Sequence, residues 1–151
     1  MRIRQADLSD AHSLKELSKH AISACYTSFM GEEMVNGYLS SGASDDEIDK
    51  HIGNTFVAFD DSESAIGYVV VIDDLIHIMM VSPTQQRKGI GAMLLSFAEA
   101  EILSNHLKPT LETFESNTQA MNFYLKNRWT ISRKESDPDF GFVRVFFEKE
   151  S

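Results

Sequence analysis

The chain has 151 residues, 42% of them hydrophobic, with 23 acidic and 14 basic side chains and a formal charge of −9. That size suffices for one self-supporting core, read as a single domain over residues 1–151. The lone cysteine, Cys25, excludes an intramolecular disulfide, a thiolate zinc site and a Cys-x-x-Cys redox pair, and makes a reducing cytoplasm the expected location. No apolar run approaches the ~20 residues of a membrane span, and no secretory apolar segment follows the charged start. The acidic balance argues against binding phosphate backbones, so neither a membrane nor a nucleic acid is expected as a partner.

Arg2–Gln5 reads as a short strand, and Ser9 or Asp10 as the N-cap of a helix from about Ala11 to Ala24, with Leu14, Leu17, Ala21 and Ile22 at helical spacing. Glu32–Leu39 and Asp45–Ile52 read as short helices separated by Ser40-Ser41-Gly42. Thr55–Phe59 and Ala65–Ile72 are rich in β-branched and aromatic residues and form a hairpin through Asp60-Asp61-Ser62, followed by a strand over Leu75–Val81. A helix then starts near Ile90 and fades near Asn105; Pro109–Phe114 is a strand, Thr118–Lys126 a helix, and Trp129–Arg133 with Phe142–Phe147 a closing strand pair. This succession specifies an α/β protein of the α+β type: one mixed, largely antiparallel sheet of six to seven strands with helices on both faces.

The most informative stretch is Val81-Ser82-Pro83-Thr84-Gln85-Gln86-Arg87-Lys88-Gly89-Ile90-Gly91-Ala92, which leaves a strand, turns through paired glycines and enters a helix. Consecutive amides there can face an anion where the helix dipole favours one, and Arg87 and Lys88 add positive charge. A Q-x-x-G-x-G pattern alone also fits an ordinary strand-to-helix turn. There is no Gly-Lys-Ser/Thr for a P-loop, and Leu94 stands where a dinucleotide fingerprint needs its third glycine.

Two further segments extend the pattern: Ile3-Arg4-Gln5-Ala6 with Asp10 near the start, and Asn117-Thr118-Gln119-Ala120-Met121-Asn122-Phe123-Tyr124-Leu125-Lys126 later on. With these three matches in order, the chain resembles the GNAT superfamily of acetyl-coenzyme A dependent N-acetyltransferases over nearly its whole length. The resemblance implies acetyl-CoA as the acetyl donor. Backbone groups of Met79 and Val81 would pair with the pantetheine arm, the amides of Gln86, Arg87, Lys88, Gly89, Ile90, Gly91 and Ala92 would hold the pyrophosphate, Asn117 would contact the coenzyme, and Tyr124 would lie near its sulfur. The family usually follows this last segment with a glycine and a bulky apolar residue, where this chain has Arg128 and Trp129. Two-fold dimers are frequent among proteins that resemble it.

The acceptor implied by the resemblance is a primary amine, on a small molecule or a peptide. An alkylamine like that of lysine, with a pKa near ~10.4, offers a free lone pair on only about one molecule in ~2,500 at pH 7, a cost of roughly 4.6 kcal/mol. The reaction therefore needs a base or a water path to one. His77 is the first candidate: strand alternation puts Leu75, His77, Met79 and Val81 on one face, and some relatives carry a histidine here. Glu112 and Glu115 are alternatives, more simply read as solvated or ion-paired. The Val81 N–H would stabilise the developing oxyanion, and Tyr124 would protonate the leaving thiolate. A non-catalytic acyl-CoA binding or regulatory module with the same fold is the rival reading; intact Tyr124 and Asn117 favour the enzyme.

Other residues are read more plainly. Cys25, with Tyr26 and Phe29, falls where the resemblance places the acceptor pocket, but a buried thiol fits better than a nucleophile. Histidines 12, 20, 51, 77 and 106 show no ligand spacing, so no metal is expected. Asp45-Asp46-Glu47 fits the negative start of a helix. Residues 1–74 hold 14 of the 23 acids and 5 of the 14 bases, so the whole charge excess lies in that half, while 75–98 and 116–134 contain no acid. A cationic acceptor, attracted by the acidic half, is the corresponding expectation.

Overall fold

In the computed structural model, which describes residues 1–138 and 141–149, seven strands form one sheet in the order β1-β2-β3-β4-β5-β7-β6. The strands are β1 (Arg2–Gln5), β2 (Thr55–Phe59), β3 (Ala65–Ile72), β4 (Leu75–Val81), β5 (Thr110–Phe114), β6 (Trp129–Ser136) and β7 (Val143–Lys149). Every neighbouring pair is antiparallel except β4 with β5, which is parallel. The helices are α1 (Ala11–Met30), α2 (Glu32–Ser40), α3 (Ala43–His51), α4 (Ile90–Ser104) and α5 (Thr118–Lys126). Among the described residues, no helix is long and apolar enough to cross a membrane.

The sheet separates two apolar clusters. On one face Ile90, Leu94, Leu95, Ala98 and Ile102 of α4 pack on Val69, Ile76, Leu111 and Phe147, joined by Met121, Phe123 and Tyr124 of α5. On the other, Leu14 and Leu17 of α1 and Ile48 of α3 pack on Val57, Phe59, Tyr68 and Val70. α4 can lie close to the sheet because β3 carries Gly67 beneath it: a Cβ there would stand 2.9 Å from Leu94 Cδ1 and 3.0 Å from the Met80 carbonyl oxygen. That close approach fixes where the N-terminus of α4 sits relative to the end of β4.

Several boundaries differ from the sequence expectation, each for a local reason. α1 continues past Ala24 to Met30 and stops at Gly31, whose φ is +87°. Its last turns carry Cys25, Tyr26 and Met30, which line a cleft instead of the core and so break the apolar periodicity. Asp10 stands at the N-cap of α1, as expected, but its side chain makes no capping hydrogen bond to the helix, because it is engaged by the turn before it. Asp7 caps a short 3-10 turn, accepting from the Ser9 N–H at 2.9 Å, while Asp10 accepts from the Asp7 N–H at 2.9 Å and a two-pronged Arg4 pair at 2.9 and 3.0 Å. That pairing holds the Asp10 carboxyl below its usual range. β6 runs on to Ser136, held by its ladder with β7 although its outer half has no apolar pattern.

The consequential difference lies in β4. Its register against β3 runs Val69↔Met79 and Val70↔Ile78, then jumps to Val71↔Ile76, so His77 is an inserted, unpaired residue. Simple alternation therefore fails: Met79 and Val81 pack with Ile76 on the α4 side, whereas His77 meets Glu47 and His51 of α3 on the opposite face. The expected single face of Leu75, His77, Met79 and Val81 is not formed.

Candidate active site

β4 and β5 pair only at Leu75↔Thr110 and Ile76↔Leu111, then diverge. The gap opens into a cleft of about 1170 Å³ that is reached from both faces of the sheet. The Ser82 N–H donates to the Ile66 carbonyl at 2.9 Å. Antiparallel ladders alternate bonded and non-bonded pairs, so the backbone groups of Val81 and Met79 turn away from β3 into this gap. They form a free strand edge, ready to pair with an extended polar chain.

At the mouth of the gap the chain passes through Gln86, Arg87 and Gly89 into α4. Gly89 caps the helix at φ +82°, and Arg87 also has a positive φ of 67°. These turns gather the unpaired amides of the first helical turn toward the cleft. A Cβ on Gly91 would meet Phe123 at 3.4 Å, an ordinary contact, so the protein's own packing does not require glycine there. Of the residues expected at the coenzyme, Met79, Val81, Gln86, Arg87, Gly89, Ile90, Gly91, Ala92 and Asn117 all line the cleft. Lys88 does not; it is exposed, with its ammonium 3.4 Å from Gln85 Oε1. Asn117 caps α5, its Oδ1 accepting from the Ala120 N–H at 3.3 Å, which leaves its amide nitrogen for a ligand.

Tyr124 lines the same cleft, its ring set against Phe123 at 5.5 Å and Phe147 at 5.6 Å. Burial first, and then Tyr26, drive its pKa far above the usual tyrosine value, so the hydroxyl keeps its proton. Across the gap the wall is built by α1, α2 and α3, with Tyr26, Met30, Met34, Tyr38, Ser44, Glu47 and His77. Burial, assisted by Cys25 and Tyr38, pushes Tyr26 up to about 12. Ser44 is 2% exposed, and its hydroxyl has no partner among the described residues. Cys25 lines the cleft and accepts from the Gln86 side-chain amide at 3.1 Å, tying α1 to the glycine turn.

His77 Nε2 lies 3.2 Å from Glu47 Oε2, and His51 Nε2 lies 3.3 Å from the same oxygen. With Nε2 donating to the carboxylate, Nδ1 becomes the acceptor of the His77 ring. The alternatives are otherwise engaged: Glu115 pairs with Lys134 at 2.6 Å, and Glu112, which lines the cleft, stands 4.0 Å from Arg144. Sequence reasoning missed Glu47 as His77's partner, because it took the acids of α3 together as a helix start. The available signal was Glu47 and His51 at i, i+4, which share a helix face.

A family model described as the acetyltransferase (GNAT) family matches residues 20–128. The fold is similar to that of the PaiA N-acetyltransferase from Thermoplasma acidophilum in complex with coenzyme A, with 21% identity and a TM-score of 0.79 over 99% of this chain and 98% of that one. It is also similar to a GCN5-related N-acetyltransferase from Rhodopseudomonas palustris, with 15% identity and a TM-score of 0.84 over 99% and 95%. An aminoglycoside 6'-N-acetyltransferase complexed with coenzyme A gives 14% identity and a TM-score of 0.73 over 99% and 98%. No curated protein matches the chain by sequence.

Proposed function

Because the chain belongs to the GNAT acetyltransferase family, we propose that it transfers the acetyl group of acetyl-CoA directly to a primary amine held on the α1–α3 side of the cleft. The observation that carries this reading is a gap through the sheet that joins a free strand edge and a helix N-terminus on one side to a Glu47–His77 pair on the other. Acetyl-CoA, when bound, supplies a thioester. Met79 and Val81 would hold its amide-bearing arm as an added strand, and the amides from Gln86 to Ala92 its pyrophosphate. These assignments suit the groups present, which are unpaired donors and acceptors along an extended path.

His77 would take the ammonium proton of the acceptor, with Glu47 fixing its tautomer and stabilising the imidazolium that results. The Val81 N–H would hold the carbonyl oxygen as it becomes negative. Tyr124 would give the departing sulfur a proton. Tyr26, Tyr38 and Glu47 suit a cationic acceptor, since aromatic faces and a carboxylate both attract one.

A thiol-release assay over polyamines, amino acids, aminoglycosides and peptides tests the proposal. Thiol release that depends on an amine, strongest with cationic acceptors and matched by an equal yield of amide, is the expected result. Tight acetyl-CoA binding with no turnover on any amine would overturn it in favour of a binding module.

A further inference from the structure

Glu47, His51 and His77 offer three donor atoms that all lie within 4.8 Å of one another. Helix α3 presents Glu47 and His51 on one face at i, i+4, and the inserted residue of β4 turns His77 to meet them. The Glu47 Oε2 to histidine Nε2 separations are 3.2 and 3.3 Å. Nitrogen and oxygen ligands about 2.0–2.1 Å from a tetrahedral zinc stand about 3.3–3.4 Å apart, so both carboxylate–histidine separations match those of one shared ion, and a small rotation of the rings would bring the two histidine ligand atoms, which lie within 4.8 Å, onto it.

We propose that Glu47, His51 and His77 form a binding site for a divalent transition-metal ion of the zinc class. Two imidazoles, which are borderline donors, with a single hard carboxylate suit zinc or cobalt better than magnesium or calcium. The set supplies three ligands, and because Glu47 and His77 line the cleft, the fourth position faces it. Acetyl transfer as derived above uses no metal, and occupancy opposes it. An ion on His77 Nε2 displaces the proton that Glu47 accepts, Nδ1 must then carry the ring proton, and the base is lost. The site is thus an inhibitory one: metal release, with Nε2 reprotonated, restores the proton acceptor.

The test uses the full chain freed of metal, titrated with zinc alone by calorimetry and with cobalt alone by visible absorption. One equivalent of cobalt should produce the ligand-field bands of a low-coordinate site, and zinc should displace it. His51→Gln, Glu47→Gln and His77→Gln should each weaken zinc binding by more than the roughly 10- to 100-fold that loss of an outer-shell partner costs. His106→Gln should bind as the parent does. Thermal melts without metal confirm that each variant is folded, and His51→Asn serves if His51→Gln is not. Unchanged zinc affinity in His51→Gln, or loss of binding in His106→Gln instead, would overturn the site. The binding measurement does not depend on the proposed acetyl transfer: a bound ion that leaves turnover intact removes His77 from the base role while the site stands.

Discussion

Replacing Tyr124 by phenylalanine removes one hydroxyl and tests how the thiol leaves. Among the described residues that hydroxyl has no hydrogen-bond partner, while the ring is held by Phe123 and Phe147. Its loss therefore strands no buried group, and stability should change by less than about 1 kcal/mol. The chemical cost follows from the leaving group. An alkyl thiol titrates near ~8.5, so expelling it as a thiolate at pH 7 leaves a gap of about 1.5 units, roughly 2 kcal/mol or 30-fold. From the reference values near ~10 and ~8.5 donation is about 2 kcal/mol uphill; burial, which raises Tyr124, works against it and, by penalising a thiolate in the same cleft, works for it. General acids typically contribute about 10²- to 10⁴-fold, and a leaving group this good belongs at the low end. The kcat for amine acetylation should therefore fall by about 30- to 100-fold, with acetyl-CoA affinity by calorimetry unchanged. An activated acetyl ester whose leaving group needs no proton should recover most of the rate. A kcat within threefold of the parent, or an equal loss with the activated ester, would refute the acid role.

His77→Ala should lose rate mainly at neutral pH and regain about tenfold per unit as pH rises toward the ~10.4 of an alkylamine, because hydroxide in bulk water then does the deprotonation; a pH–rate profile parallel to the parent's would make His77 structural. Gly67→Ala should cost about 1–3 kcal/mol in urea titration, since Leu94 is fully buried and the Met80 carbonyl cannot yield. A Leu94→Ala background should relieve much of that cost. Arg128→Gly should stabilise: Arg128 sits at φ +70°, where a Cβ costs about 1–2 kcal/mol, partly offset by the 0.5–1 kcal/mol of extra freedom that glycine gains on unfolding. A rise of about 2 °C in melting temperature is expected, and a fall would mean that the arginine side chain contributes more than its backbone strain costs.

The strands β2, β3 and β4 and helix α5 were legible to the residue, because their apolar and β-branched runs are bounded by Asp60-Asp61-Ser62, by Asp73-Asp74 and by Asn117. What escaped was set by pairing and by position in space. A bulge leaves the composition of Leu75–Val81 untouched, so nothing in those seven letters announces that His77 changes face. The last turns of α1 obey helix geometry while their side chains serve a cleft, so the apolar period that marks a helix stops before the helix does. Arg128 is the converse case. The resemblance singled it out by the glycine it replaces, and the backbone adopts the left-handed turn that glycine would favour, so a local anomaly in sequence marks a turn held at some strain.

The asymmetry of charge also changes meaning once the acids have positions. On α3, Asp45 pairs with Lys19 at 3.2 Å and Asp49 with Lys15 at 3.0 Å, and Asp46 is exposed, while Glu47 lines the cleft. Paired and exposed carboxylates act weakly beyond a Debye length of about 8 Å at physiological salt. A carboxylate within about 4 Å of an ammonium is worth about 1 kcal/mol in bulk water and about 4 kcal/mol at the effective dielectric near a protein surface. If the acceptor is a cation as proposed, the acidity of the first half would therefore bear on it chiefly through Glu47, as a contact in the cleft more than a field around the molecule. On the opposite side no acid occurs from Leu75 through Ala98, so the strand, the glycine turn and the first turns of α4 carry no carboxylate of their own beside Arg87. The open seam between β4 and β5 separates these two environments, so in the proposed reaction the acetyl group would pass from the Arg87 side to the Glu47 side.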